Sequence, residues 1–384
     1  MFSFRTTPIY EQQDRVLKSG KVAVFCTQSA WNPLTGKYIY EIMAELSDVV
    51  RVFYMDDGVI ECSPLLKNVE FVRINPLNPD SLSLEKFSDI DALVVEYQDL
   101  GSRYDQVSAV LFYLFQMFHQ SAADIAVYIL DRENPTGRSV EGSMLTPEFV
   151  TANYEDEPSG IEGLPHRHGL TLGEVANLMY CDIDARFPLH IISYMVRSAT
   201  QWLMPWSIPA AAGYAGLFSS VFYSGTRMLE CSGLSVGRGT ARSFEFFGAP
   251  GLRDLIAGGN AHGWNASQIS DPGVFLRPTV FIPTDGPFAD KECYGFQMIP
   301  VPGTQYHSVS HCLRILRFLM KSEMVNLPGA EMAVGDSVLF GYVAGELDWD
   351  DAREQLKVEE QKWIRKGKRY MLYDDQLLRV KKLI

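Results

Sequence analysis

Short apolar runs alternate with longer amphipathic stretches through the first half of the chain. Brief apolar runs are typical of buried strands, and an apolar period of about 3.6 residues is typical of helices. Strands that alternate with helices favour a parallel sheet with right-handed crossovers, so we predict an α/β fold here. The predicted strands are Lys21–Thr27, Val49–Tyr54, Ala92–Tyr97 and Ile125–Leu130, and the predicted helices are Tyr38–Leu46, Asp105–Gln120 and Leu170–Met179.

Glycine and proline become frequent between Pro205 and Gly216, and the apolar pattern is less regular in the second half of the chain. We therefore expect a domain boundary near residues 190–205, with one domain at residues 1–200 and another at residues 201–384. The second is predicted to be a smaller α+β domain, because it contains a strand-like segment and two amphipathic helices. These segments are Val274–Pro283, His311–Lys321 and Asp350–Ile364.

Polar residues follow each of the four predicted strands. In open parallel sheets, ligands bind beyond the carboxyl ends of the strands, so these residues predict one polar cleft. Alternatively, they cap helices and mark loops, as the capping-box spacing of Thr171 and Glu174 suggests for that helix. The polar residues are Gln28 after the first strand, Asp56 and Asp57 after the second, Gln98, Asp99 and Arg103 after the third, and Asp131 and Asn134 after the fourth.

Several familiar classes of site lack their sequence signal. No glycine-rich dinucleotide motif follows the first strand, and no P-loop motif is present. The close histidine pairs, His166 with His168 and His307 with His311, have no obvious third metal ligand nearby. A serine nucleophile elbow is also missing. We therefore predict neither a metal nor another cofactor.

The composition is that of an ordinary globular protein with an acidic surface. Hydrophobic residues make up 47% of the chain and charged residues 21%, and the formal net charge is −13. Such a charge repels phosphate backbones and anionic membranes, so we expect neither nucleic acid nor a membrane as a partner. The first residues contain no apolar signal region, which predicts a cytoplasmic location. The composition leaves the oligomeric state open.

Carboxylates and one arginine loop are the candidates for chemistry. Cleavage of a glycosidic bond uses two carboxyl groups, one as an acid and the other as a nucleophile or base. Arg238 lies between two glycines in the segment Ser235–Thr240, where its guanidinium could bind a ligand carboxylate as a fork. A tight surface turn is the alternative for this segment. The candidate carboxylates are Asp56, Asp57, Asp99, Asp131, Glu141 and Glu230.

Several motifs, in the same order along the chain, resemble those of the NamZ-type exo-β-N-acetylmuramidase family, formerly domain-of-unknown-function family 1343. The resemblance runs from about Lys21 to Tyr373. Its most specific part is Leu229–Pro250, which is similar to the family signature around a Gly-Arg-Gly-Thr sequence. The other similar segments are Gln98–Tyr104, Asp131–Pro135, Val140–Gly142 and Arg167–Thr171 with Glu174.

This resemblance implies a Rossmann-like larger domain, a smaller C-terminal domain and a site between them. It also implies release of terminal N-acetylmuramic acid from peptidoglycan fragments without a cofactor, so the expected partner is a small saccharide or muropeptide. Asp56 would be the acid/base, with Glu141 or Glu230 as the second carboxylate. The expected substrate-binding residues are Gln28, Asp57, Gln98, Asp99, Arg103, Asp131, Asn134, His168, Ser235, Arg238 and Thr240.

The chain departs from the family where the second strand ends. It has Asp56-Asp57 where the family has Glu-His. Asp56 is one methylene shorter, and a misplacement of roughly 1 Å could lower the rate about 10²-fold. The family's Pro-Asn-Met-Pro segment is also replaced, by Ala210–Gly213. These changes leave two alternatives open: a catalytically inactive protein that binds an amino sugar or cell-wall fragment, and a different enzyme class on the same fold.

Overall fold

The structure is a computed structural model that describes residues 20–32, 35–55, 59, 66–75, 82–150, 160–193, 209–210, 213–214, 216–257, 266–322 and 329–373. Asp56 and Asp57 lie outside the described residues, as does the expected domain boundary at residues 200 and 201. No helix among the described residues is long and apolar enough to span a membrane.

The strands are β1 (Lys21–Cys26), β2 (Trp31–Asn32), β3 (Lys37–Tyr38), β4 (Asp48–Tyr54), β5 (Glu70–Arg73), β6 (Ala92–Glu96), β7 (Ala126–Asp131), β8 (Glu141–Met144), β9 (Pro165–Arg167), β10 (Leu189–Ser193), β11 (Phe246–Ala249), β12 (Val274–Phe281) and β13 (Cys293–Pro300). The helices are α1 (Ile39–Ala44), α2 (Gln106–Ser121), α3 (Leu172–Asp182), α4 (Leu217–Cys231), α5 (Arg253–Ala257), α6 (Ser308–Ser322), α7 (Ala330–Val334), α8 (Ser337–Ala344) and α9 (Trp349–Gly367).

Six strands form a parallel sheet in the order β10-β7-β6-β1-β4-β5. This order is that of a doubly wound α/β sheet, in which the chain moves outward from the centre in both directions. The α/β prediction is therefore confirmed. The four strands predicted from sequence are the central ones. The two that were missed, β5 and β10, lie at the sheet edges, where fewer positions need apolar side chains.

Both faces of this sheet are buried, which explains why its central strands are continuously apolar. On one face, Phe25 and Val95 pack against α2 and α3. On the other face, Val24 and Val94 pack against residues of α1, including Tyr40. The sheet therefore lies between helices, and the carboxyl ends of its strands are left to form a site.

The C-terminal region combines an antiparallel sheet with helices, as predicted for an α+β domain. Its strands have the order β11-β13-β12, and helices α4 and α6 cross beside them. They cross closely at Gly225, where an added Cβ would lie 2.4 Å from the carbonyl oxygen of Ser308. The predicted helix at His311–Lys321 is confirmed as part of α6, which begins three residues earlier.

The last helix, α9, leaves the C-terminal region and packs on the first domain. Trp363 is 1% exposed and belongs to the same core as α2 and α3. Its indole Nε1 donates to the carbonyl of His168 at 2.8 Å. Further along, the backbone N of Leu372 donates to Glu174, and the Tyr373 hydroxyl donates to Asp131 at 2.6 Å. The chain therefore returns to the first domain after building the second.

Candidate functional site

The two central strands of the parallel sheet, β1 and β6, mark its switch point. The chain runs from β1 to β4 on one side and from β6 to β7 on the other, and ligands in such folds bind where these paths separate. Gln28 follows β1, while Gln98 and Asp99 follow β6. The backbone N of Gln98 donates to the hydroxyl of Ser29 at 2.9 Å. The structure thus brings these predicted residues to one edge of the sheet.

Gln98 carries a buried acceptor without a partner at this edge. The side chain is 3% exposed, and its Nε2 donates to the carbonyls of Asp99 and Glu133, both at 3.1 Å. Its Oε1 has no hydrogen-bond partner among the described residues. Because an unpaired buried acceptor costs about 1–3 kcal/mol, a ligand hydroxyl or amide would be a favourable partner for this oxygen.

Asp99 and His168, two predicted binding residues, lie together below this edge. The Nε2 atom of His168 is 3.6 Å from Oδ1 of Asp99, and both side chains are buried. The backbone N of Leu170 donates to Nδ1 of His168 at 3.1 Å. In the neutral ring, the proton therefore resides on Nε2 and faces the carboxylate.

Asp131 and Asn134 are used to fix helix α3 in place. Asp131 accepts from the backbone N of Gly173 at 2.7 Å and from the hydroxyl of Thr171 at 2.8 Å, as well as from Tyr373. Burial raises the pKa of Asp131 to about 6. The Nδ2 atom of Asn134 donates to the carbonyl of Leu170 at 2.9 Å. For these two residues the geometry supports the helix-capping alternative over the predicted substrate contact.

Arg103 is directed into the interface between the domains. The side chain is fully buried, and its Nη2 donates to the carbonyls of Ala333 and Val334 at 3.1 and 3.0 Å. Its Nη1 donates to the carbonyl of Ser143 at 3.2 Å. These contacts favour a role in joining the domains over the predicted contact with substrate.

Glu141, a predicted catalytic carboxylate, is also held at the domain interface. It forms a buried ion pair with Arg167. Its other oxygen accepts from the hydroxyl of Ser308 at 2.7 Å and from the backbone N of Val309 at 3.2 Å. A carboxylate with both oxygens occupied and 1% exposure is poorly placed to move a proton, so the geometry favours a structural role.

His307 extends this interface to α9. Its Nε2 lies 2.8 Å from Glu360 and its Nδ1 lies 3.7 Å from Glu141. Burial opposes the charged ring, but the two carboxylates outweigh it and raise the pKa of His307 above its ordinary value. The charged ring therefore stabilises the folded protein below its unfolded-state pKa, and this contribution is lost as the pH rises through the folded-state pKa.

We expect the stability difference between wild type and His307→Gln to depend on pH in this direction. The variant should lose most below about pH 6.5 and progressively less at higher pH. Urea unfolding of both proteins across this range measures the difference. His119→Gln, on α2 and away from this interface, should leave the pH dependence as it is in wild type. If the difference in free energy of unfolding between wild type and His307→Gln were the same at every pH, the expectation would be contradicted.

Glu230, the other predicted catalytic carboxylate, is clamped by two arginines. It accepts from Nε and Nη2 of Arg238, the latter at 3.0 Å, and it forms a buried ion pair with Arg227. Burial favours its neutral form, but the charges of Arg227 and Arg238 dominate and hold the pKa of Glu230 below its ordinary value. Glu230 is therefore an anion that positions Arg238.

Arg238 is presented by a tight loop. Gly237 and Gly239 on either side of it have φ angles of 73° and 74°, which glycine adopts without strain. The hydroxyl of Thr240 donates to the carbonyl of Gly237 at 2.6 Å, and the hydroxyl of Ser235 accepts from the backbone N of Gly237 at 3.3 Å. Ser235 and Thr240 thus hold the turn. Nη1 of Arg238 makes no hydrogen bond to any residue that the structure describes.

An aromatic cluster connects this loop to the first domain. Arg238 lies over the ring of Phe244, 5.0 Å from its centroid, and Tyr214 stacks on the same ring at 4.9 Å. Tyr223 packs against both rings, and its hydroxyl donates to the carbonyl of Tyr104 at 3.2 Å. Sequence reasoning missed these aromatic residues, because nothing in their spacing reveals that they meet beside Arg238.

The segment before Tyr214 contacts the other half of the site. The Nε2 atom of Gln28 donates to the carbonyl of Pro209 at 3.1 Å. The hydroxyl of Thr27 donates to the carbonyl of Ala210 at 3.0 Å. Pro209 and Ala210 therefore contact the exit of β1, and Tyr214 packs on the same Phe244 ring as Arg238. We take the exits of β1 and β6 and the Arg238 loop as the two halves of the candidate site. No group of three metal-ligating side chains occurs among the residues that the structure describes.

Two family models match successive parts of this chain. The family model described as exo-beta-N-acetylmuramidase NamZ, N-terminal, matches residues 78–210, and the corresponding C-terminal model matches residues 221–373. The peptidoglycan beta-N-acetylmuramidase NamZ of Bacillus subtilis (strain 168) is 26% identical over 238 residues, which are 61% of this chain and 54% of that protein. The match thus spans about half the length of that relative.

Two solved structures share the fold. Both are DUF1343 family proteins from Bacteroides fragilis NCTC 9343, and each superposes with a TM-score of 0.71. They are 18% and 19% identical to this chain, cover 95% of it, and are themselves covered to 97% and 98%. At this level of identity, the likeness concerns the fold alone.

Proposed function

This chain belongs to the NamZ exo-β-N-acetylmuramidase family, and from that premise we propose that it is a glycoside hydrolase that releases N-acetylmuramic acid from the ends of peptidoglycan fragments. The observation that carries the proposal is that the two family models match this chain in order, over residues 78–210 and 221–373, and that each match contains one part of the proposed cleft. The first domain contributes the Gln98–Asp99 edge, and the second contributes the Arg238 loop.

The groups of the cleft suit an anionic amino sugar. Arg238 keeps Nη1 unbonded among the described residues while Glu230 fixes its other nitrogens, so it is oriented to receive a lactyl carboxylate. The buried Oε1 of Gln98 offers an acceptor for a sugar hydroxyl or acetamido N–H. The ring of Tyr214, packed on Phe244, supplies an apolar surface beside the arginine.

The proton-transfer role is assigned to Asp56. Glu141 and Glu230 are each paired with arginine, which leaves them as positioning residues. Asp56 follows β4 by two residues in sequence, and β4 pairs with β1 up to Tyr54 opposite Cys26. The strand that precedes Asp56 thus borders the switch point, where ligands of such sheets bind.

An inactive sugar-binding protein is the second candidate. The observation that favours it is the pairing of both described catalytic candidates, Glu141 and Glu230, with buried arginines. An arginine-clamped carboxylate is suited to holding a ligand site together, even where no bond is broken. On this view the cleft would bind a cell-wall fragment and release it unchanged.

Turnover of a chromogenic N-acetylmuramide separates the two candidates. We expect the purified protein to release N-acetylmuramic acid from it, and to leave the matching N-acetylglucosaminide intact because that sugar lacks the carboxylate for Arg238. Calorimetric titration with N-acetylmuramic acid should show saturable binding. Binding without turnover would replace the hydrolase with the inactive protein, and the absence of both would remove the proposed substrate class.

A further inference from the structure

Two buried aspartates contact the same serine hydroxyl below the switch-point edge. Oγ of Ser108 lies 3.2 Å from Oδ2 of Asp99 and 3.3 Å from Oδ2 of Asp105. The hydroxyl of Tyr97 is a third neighbour of Oγ, at 2.9 Å. All four side chains are at most 6% exposed. The catalytic roles proposed above do not use this cluster.

The hydrogens available to the cluster favour a protonated carboxyl group in it. A serine hydroxyl has one hydrogen to donate and two lone pairs to accept with. Ser108 can align this hydrogen with only one carboxylate oxygen at a time, although its Oγ lies within 3.3 Å of two. The hydroxyl of Tyr97 can donate to one lone pair of Oγ, and a protonated carboxyl group on Asp99 or Asp105 would donate to the other.

We propose that Asp105 is a neutral carboxylic acid that donates to Ser108, while Ser108 donates to an ionised Asp99. Asp99 is the better anion, because its Oδ1 accepts from the backbone N of Gly101 and also faces Nε2 of His168. Asp105 forms no ion pair with a described residue. In agreement, burial and the charge of Asp99 raise the pKa of Asp105 to about 8.

The other titratable groups around Asp105 are consistent with a single proton that Asp99 and Asp105 share through Ser108. We call it the shared proton. Tyr97, directly after β6, and Tyr223 on α4 face Asp105, and burial raises the pKa of both hydroxyls well above the ordinary value. Tyr214 faces it from the segment before α4, and burial raises its pKa as well. These groups are therefore neutral at pH 7, and Asp99 is the negative charge that Asp105 meets directly.

The shared proton affects the proposed reaction indirectly, because it keeps the loop that carries Gln98 and Asp99 in position. Asp105 accepts from the backbone of Val107 at the start of α2, and Asp99 belongs to the loop that carries Gln98. A second buried charge in this cluster would repel Asp99 and displace that loop together with His168. Asp105 is thus a positioning residue for the cleft, and in this respect the inference rests on the proposed function.

Asp105→Asn is the informative variant, because an amide keeps a donor for Ser108 and an acceptor for Val107. At pH 6 to 7, its kcat/KM on the muramide should stay within about threefold of wild type. Wild type should lose activity as the pH rises through about 8, and the variant should not show this loss. A loss at the same pH in both proteins would overturn the assignment.

Two measurements do not depend on turnover. Infrared spectra of protein labelled with ¹³C-aspartate should contain the carbonyl stretch of a neutral acid at pH 7, and Asp105→Asn should remove it. Asp99→Asn should lower the pH at which this band disappears, because it removes the facing anion while the burial of Asp105 remains. The equilibrium constant for unfolding of wild type, divided by that of Asp105→Asn, should rise by up to about tenfold per pH unit between about pH 4 and pH 8.

The outcomes separate this inference from the proposed function. If the infrared band of a neutral acid were present but the muramide were not turned over, the proposed hydrolase activity would be rejected and the shared proton would be supported. Turnover with both aspartates ionised at pH 7, together with an unchanged pH dependence of unfolding in Asp105→Asn, would keep the hydrolase and overturn the shared proton.

Discussion

Replacing Asp56 by Asn should leave the protein folded and lower its kcat on a muramide by about 10²–10⁴-fold, the range expected when a general acid/base is removed. The loss of kcat should be this large because the other candidate carboxylates cannot replace Asp56 in proton transfer. Glu141 and Glu230 are both paired with arginine and buried, so neither is free to take over proton transfer. Initial rates over a range of substrate concentrations measure kcat and KM separately, and KM should change little.

Asp56→Glu is the matched partner of this variant. It restores the longer side chain that the resemblance to the family motif implies at this position, and it should raise kcat by up to about 10²-fold if the shorter aspartate retracts the carboxyl from the bond. Asp57→Asn removes the neighbouring charge and tests whether kcat depends on the charge of this segment rather than on the carboxyl group of Asp56. If Asp56→Asn retained its kcat within about threefold, the acid/base would have to be sought elsewhere in the cleft.

Glu230→Gln should destabilise the folded protein by about 3–5 kcal/mol, the usual effect of removing one partner from a buried ion pair. Glu230 lies between Arg227, which is 1% exposed, and Arg238. Without its charge, the buried guanidinium of Arg227 and the partly buried guanidinium of Arg238 lose the anion that they share. Urea unfolding of wild type and variant at pH 7 gives the difference in free energy of unfolding.

The control for this prediction is Glu354→Gln. Glu354 pairs with Lys357 across three residues of a helix, the same spacing that joins Arg227 and Glu230, but it is 67% exposed. Exposed pairs contribute little, so the midpoint of urea unfolding should not move. Equal small changes in both variants would mean that water, rather than Glu230, compensates the two arginines.

The sequence predicted the parts of the fold whose causes are local. Strands β1, β4, β6 and β7 were placed within one or two residues, because strands buried on both faces leave a continuous apolar run. The capping box of Thr171 and Glu174 was recognised from four consecutive positions, and the structure has it. Strands β5 and β10 were missed because the edge of a sheet demands fewer apolar residues.

The candidate site could be predicted only in part, because the partners that decide a polar residue's role lie far away in sequence. The structure gathers Gln28, Gln98 and Asp99 as the strand pattern implied, and His168, which the family resemblance had suggested, lies beside Asp99. The carboxylates were harder to interpret. Glu141 meets Ser308 across 167 residues, and Arg103 meets Val334 across 231 residues. No pattern near either residue distinguishes a structural pair from a group that awaits substrate.

The return of α9 to the first domain has a consequence for the protein during its synthesis. Asp131 and the Tyr373 hydroxyl that it binds are 242 residues apart, and a ribosome adds about 5–20 residues per second, so the two meet about 10–50 s after Asp131 is made. Over that interval the nascent first domain lacks Trp363 in its core and presents an apolar opening beside His168. The domain made first is thus completed last, and until then the apolar side chains that Trp363 covers lack this cover.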